Sequence, residues 1–159
     1  MFKKEVKSTH FWLVIMSIVL YILSMFFTPF YVANPKADIY SSSFFMLLAG
    51  WMAILGGGLI PTIIWLANPL YLFGGFLILN KEKVGVVLVG LSVVLALYFT
   101  TLDSIMDGES GATTAITKLG VGFYFWILSF IVLFIAGVSI FRNKKTGKSI
   151  IKSADLIKR

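Results

Sequence analysis

The chain has 159 residues, 58% hydrophobic and 13% charged, with a mean hydropathy of +0.94. A soluble domain is about 45–50% apolar and roughly a quarter charged, so this composition excludes disorder, coiled coil and ordinary soluble packing and points to an integral membrane protein. The net charge is +7, there is no cysteine, and His10 is the single histidine, which excludes disulfides, thiol nucleophiles and a histidine-rich zinc site within one chain.

Residues 1–10 form a basic tail carrying Lys3, Lys4 and Lys7, followed by an apolar run from Phe11 to Phe27 that Pro29 closes. A basic start before an apolar stretch resembles the front of a signal peptide. This run is longer than a usual signal core, and bulky Phe26 and Phe27 occupy the stretch before any cleavage site, so the expectation is an uncleaved first span over 11–27. Residues 28–43 read as a polar loop, with Asn34-Pro35 and a serine run as loop signals.

The second apolar run extends from Phe44 to Leu79. As one straight helix it would be roughly 54 Å long, well beyond a hydrocarbon core of roughly 30 Å, so it must break or bend. The candidate breaks are Gly56-Gly57-Gly58, Pro61 and Asn68-Pro69. The simplest division is a span over 44–66, a stop at Asn68-Pro69, and a short segment over 70–79 that fits an interfacial or re-entrant helix. Proline at position 69 frees a carbonyl near Trp65, which the Asn68 amide can satisfy, or the amide can hold something polar.

A short loop with Lys81 and Lys83 leads into a valine-rich run over 84–100. In lipid a lone strand leaves its backbone unpaired, so a helix is expected. Residues 101–118 read as a hydrophilic outer loop with Asp103, Asp107 and Glu109. Three carboxylates beside Gly108 invite comparison with a calcium site, but the order does not match the twelve-residue calcium loop, and a solvated acidic loop is expected with no metal. The last span covers 119–141, and a basic cytoplasmic tail follows over 142–159, with Arg142, Lys144, Lys145, Lys148 and Lys152 placed to face anionic lipid. Ile150, Ile151, Leu156 and Ile157 among those lysines suggest a short surface-lying helix.

The expected fold class is therefore an all-α, single-domain, four-span helix bundle with both termini cytoplasmic. In that arrangement every lysine and arginine except Lys36 and Lys118 lies inside. A five-span division at the glycines puts most of them outside and inverts the positive-inside rule. The placement implied is multi-pass, in a membrane of the bacterial inner (cytoplasmic) type.

No Asp, Glu, Lys, Arg or His lies within any of the four expected spans. Proton-coupled carriers, pumps and voltage sensors need such groups at depth. Ala49, Ala53 and Gly57 recur every fourth residue, a small-residue face suited to helix packing or a partner contact. Gly85, Gly90, Gly120, Gly122, Ala136 and Gly137 are weaker contact points. Tyr124, Phe125 and Trp126 can line a lipid-like pocket, although bundle packing is the commoner reason for such residues. The functional expectation is a non-enzymatic membrane protein without a cofactor, working through protein–protein contacts in the bilayer as an accessory subunit, regulator or immunity-like protein. Its partners would be the bilayer with its anionic lipid and a membrane protein or a second copy of itself, and not nucleic acid. The alternative is an oligomeric channel or a carrier of a neutral or lipidic solute.

Overall fold

The computed structural model describes residues 2–34, 42–106 and 112–157, with side chains for 10–34, 42–106 and 112–142. The chain is mostly helical. Helix α1 (Phe2–Ser24) leads through a turn to strand β1 (Phe30–Val32). Helix α2 (Ser43–Ala49) runs into a 3-10 helix over Gly50–Gly56. Helices α3 (Leu59–Trp65), α4 (Ala67–Leu79) and α5 (Val84–Phe99) follow. Strands β2 (Ser104–Met106) and β3 (Thr113–Leu119) then precede α6 (Val121–Ile157).

Among the described residues, two helical stretches are long and apolar enough to cross a membrane, Leu59–Leu79 and Val121–Arg142. Shorter apolar helices cover His10–Ser24, Ser43–Gly56 and Val84–Phe99. Helix α1 packs on α6, α6 on α5, and α5 on α4. The gap between α1 and α4 is bridged by large side chains, above all Tyr21 and Tyr71, whose rings stack 4.8 Å apart.

The all-α expectation needs correction. The two loops expected at the outer end form a three-stranded antiparallel sheet, in the order β1-β3-β2. Phe30 pairs with Leu119 and Ile105 with Thr114, and a bulge interrupts the register between Tyr31 and Val32. The β-branched run Thr113, Thr114, Ile116 and Thr117 favours a strand. Thr114 faces inward and its neighbours Thr113 and Ala115 outward, which is the period of two. Because β3 takes Leu119, the last helix begins at Val121 rather than 119.

The long second run breaks earlier than expected. Its apolar helix is Leu59–Leu79, and the short segment is Ser43–Gly56, which comes before it. The expected span over 44–66 and the interfacial helix over 70–79 are both displaced by this change. The cause is the glycine triplet. Gly57 adopts φ +86°, a left-handed conformation that side chains resist, and it ends the 3-10 helix. Pro61 then sits in the first turn of α3, where its missing N–H costs nothing. At Asn68-Pro69 the chain kinks without stopping, because Leu70 N–H still bonds to the Leu66 carbonyl at 3.1 Å.

The main small-residue face expected is not the one that brings helices together, although Gly85, expected as a weaker contact point, is part of the closest crossing. Ala49, Ala53 and Gly57 do not share an α-helical face, since the chain between them winds as 3-10. The close crossing is between α4 and α5. A Cβ placed on Gly85 would lie 2.5 Å from the Gly74 carbonyl oxygen, and one on Gly74 would lie 2.9 Å from the Gly85 carbonyl oxygen. The loop after α4 turns through Lys81 at φ 66°, with Lys81 N–H on the Ile78 carbonyl and Glu82 N–H on the Leu77 carbonyl, both 2.9 Å. That is a Schellman-type helix end built without its usual glycine.

The expected surface-lying tail helix is instead a direct continuation of α6 as far as Ile157. The core has two parts. One fills the bundle around Tyr71, Val89, Ala96 and Phe130. The other lies under the sheet around Phe30, Ile64, Phe99 and Phe123.

Candidate functional site

Helix α1 buries Val14, Ser17, Tyr21 and Ser24, which follow the three- and four-residue spacing of one helical face. Three of these four carry hydroxyls. Helix α4 presents Asn68 and Tyr71, three residues apart, and α6 presents Trp126, Ser129 and Phe130. These side chains meet inside the bundle and hydrogen-bond to one another.

Asn68 is the hub. Its Oδ1 accepts from the Tyr21 hydroxyl at 3.0 Å and from Trp126 Nε1 at 2.8 Å. Its Nδ2 donates to the Trp65 carbonyl at 3.0 Å. That carbonyl is the one Pro69 leaves without its usual helical donor, so the side chain repairs the kink that the next residue makes. A second layer lies below. Ser17 Oγ donates to the Ser129 carbonyl at 2.8 Å and lies 2.7 Å from the Tyr71 hydroxyl. The rings of Tyr71 and Trp126 each contact Phe130, with centroids 4.7 and 4.8 Å apart.

Above this network is a cavity of about 760 Å³. Ligand pockets usually measure about 300–1,000 Å³. The floor holds Asn68, Tyr21 and Trp126, the roof is made by Phe30 and Ile105 of the sheet, and one side wall is the Ser43–Gly56 segment, a strap across the bundle. Asn68 lies nine residues into the helical run from Leu59, about 14 Å below its start. The side chains lining the cavity carry no charge.

The strap contains no buried residue in either of its two helices. It is held by Trp65 Nε1 donating to the Leu47 carbonyl at 2.8 Å and by Ser43 Oγ donating to the Phe27 carbonyl at 2.6 Å. Seven residues is long for a 3-10 helix, whose poorer hydrogen bonds favour short runs.

Asn68 is therefore central to the site, and Pro69 stands beside it as the cause of the freed carbonyl. Ala49 and Ala53 line the cavity from the strap, whereas Gly57 is the exposed turn at its end. Asp103 is exposed ahead of β2, and its carbonyl accepts from Ile116 N–H at 2.9 Å. Asp107 and Glu109 lie outside the described residues. Among the described residues there is no group of three acidic, histidine or cysteine side chains that could hold a metal ion. Arg142 is exposed near the end of the described side chains, and Lys144, Lys145, Lys148 and Lys152 lie on the continuation of α6 with side chains outside them. Of the aromatic trio, Trp126 lines the cavity, Phe125 packs on Phe27 with centroids 5.5 Å apart, and Tyr124 is exposed.

Sequence reasoning did not single out Ser17, Tyr21, Ser24 or Tyr71. The signal for three of them was present, as hydroxyls at helical spacing on one face of an otherwise apolar run. Comparison with protein-family models, curated proteins and solved structures finds no match.

Proposed function

We propose that this chain is a multi-pass membrane protein with four crossings and cytoplasmic termini, acting without catalysis by holding another molecule within the bilayer. The crossings are α1, Leu59–Leu79, α5 and the first part of α6. One observation carries the reading, the inverted dressing of α1 and α5. Helix α1 turns Ser17, Tyr21 and Ser24 inward and Phe11, Trp12, Ile18, Val19 and Ile22 outward. Helix α5 turns Gly85, Ser92 and Ala96 inward together with Val89 and Phe99, and Val87, Leu91, Val94 and Leu97 outward. In water the bulky apolar side chains belong inside. In lipid they are the natural exterior, and small or polar residues make the interface between helices. The charges support the orientation. Lys81, Lys83 and Arg142 lie at the end of the bundle opposite the sheet, which fits the positive-inside rule with the sheet outside.

Between a protein partner and a neutral solute, the uncharged cavity favours the solute, and an accessory or immunity-like contact with another protein is the second reading. The absence of cysteine allows a clean test. Lys118→Cys should react with an impermeant maleimide added outside intact cells, and Lys81→Cys should react only after lysis. Labelling of both from outside, or release of the chain by alkaline carbonate, refutes the topology. Intact-complex mass spectrometry from native nanodiscs separates the two functional readings, since one returns a stoichiometric foreign polypeptide and the other a small apolar molecule.

A further inference from the structure

We propose that the cavity is a binding site for a neutral, single-tailed lipid whose carbonyl or hydroxyl oxygen accepts a hydrogen bond from the Asn68 amide. This deepens the bilayer reading above and rests on it.

The argument starts from counting. A primary amide has two N–H donors and an oxygen with two lone pairs. In Asn68 both lone pairs are engaged, by Tyr21 and Trp126, and one N–H is engaged by the Trp65 carbonyl. Among the described residues the second N–H has no acceptor. Asn68 is only 7% exposed and lines the floor of the cavity. A buried donor left without a partner is costly, and far from water it cannot be satisfied by solvent. A ligand oxygen supplies what is missing.

The rest of the lining fixes the ligand class. It carries no charge to neutralise a phosphate, a carboxylate or an amine, so an ionised head at this depth has no counterpart. The walls are Phe, Met, Leu and Ile side chains, which suit a hydrocarbon tail. The strap that forms one wall turns Phe44, Leu48 and Trp51 outward, so the route past it comes from lipid.

Protein carrying Trp12→Phe and Trp51→Phe and otherwise unchanged is titrated in nanodiscs with chain-brominated monostearin. Quenching reports on Trp65 and Trp126, which both line the cavity. The proposal expects saturation at low mole fraction, and half-saturation about tenfold lower than for brominated stearate or brominated octadecane. Asn68→Leu should erase that preference for the oxygenated probe. Ala53→Phe fills the cavity from the strap, leaves the Asn68 network untouched, and should abolish saturable quenching while the circular dichroism melt is unchanged. Equal half-saturation for monostearin and the hydrocarbon overturns the role of the amide. Quenching that rises linearly with every probe, in protein that stays in the membrane, overturns the site. Capture of a foreign polypeptide that Ala53→Phe abolishes also overturns it. Failure of the bilayer reading is a separate result, since that protein leaves the membrane fraction before any titration.

Discussion

The crossing of α4 over α5 gives the sharpest test of the packing, because two chemically identical changes five residues apart should have different consequences. In Gly85→Ala the new Cβ meets the Gly74 carbonyl oxygen at 2.5 Å and the Ile78 nitrogen at 2.7 Å, and both are backbone atoms. To reach ordinary contact the two helices must part by about 1 Å, and a gap of that size forfeits roughly a quarter to a half of the contact energy lining it. Overpacking of this kind costs about 1–3 kcal/mol. In Gly90→Ala the nearest atom is Cε2 of Phe134 at 3.2 Å, the far edge of a ring that is partly exposed and can swing away. There the better helix propensity of alanine, about 0.8–1 kcal/mol, is nearly unopposed. An unfolded state that keeps some helix, as in dodecyl sulfate, reduces that gain towards zero. The expectation is a loss of about 1–2 kcal/mol for Gly85→Ala and a change between zero and a gain of about 1 kcal/mol for Gly90→Ala. Both are measurable by tryptophan fluorescence in dodecyl sulfate titrations of mixed micelles. If the two variants unfold at the same detergent fraction, the helices do not cross at Gly74 and Gly85.

Asn68→Leu removes the partner of Tyr21 and Trp126 together. Interhelical hydrogen bonds in membranes average about 0.6 kcal/mol, so the loss should be about 1–2 kcal/mol in the same titration, and no change would show that the network does not form. Gly57→Ala places a side chain in a left-handed turn at a cost of about 1–2 kcal/mol. Since a Cβ there meets nothing within 4 Å, the damage should be confined to faster hydrogen exchange in the strap, and a global loss of stability would refute this. Lys81→Gly relieves the same kind of conformation after α4 and should stabilise by up to about 1 kcal/mol in thermal unfolding. Gly120→Ala drives a Cβ into the Thr28 carbonyl, so it should break the β1–β3 pairing, with increased exchange at Gly120 and Gly122, whose N–H groups bond to the Pro29 and Thr28 carbonyls.

Some of this was legible in the residues and some was not. Apolar run length alone anticipated helices over 84–100 and 119–141, which run over Val84–Phe99 and from Val121. Asn68 stood out as an amide next to a proline inside an apolar run, although a simple helix stop was the favoured explanation of the pair. The break in the second run was misplaced because glycine and proline were weighed as equal interrupters. A proline in a first turn is harmless, whereas a glycine triplet frees the chain to take a positive φ. The small-residue face was misjudged for a related reason. A four-residue repeat has meaning only on an α-helix, and Ala49 to Gly57 winds otherwise. The sheet was missed because its strands are short and its pairings join residues as far apart as Phe30 and Leu119, which no local pattern encodes.

Those pairings bear on how the chain is assembled. Strand β1 follows the first helix and β3 precedes the last, so their ladder, with α1 on α6, joins the earliest and latest parts of the polypeptide. During synthesis α1 must wait without its main packing partner, because α6 and the Ser129 carbonyl that accepts from Ser17 have not yet been made. The bundle therefore closes only after α6 has left the ribosome. Contacts this distant in sequence form slowly. A chain that stalls before β3 retains one helical hairpin, α4 with α5, and lacks the α6 surface on which α1 packs.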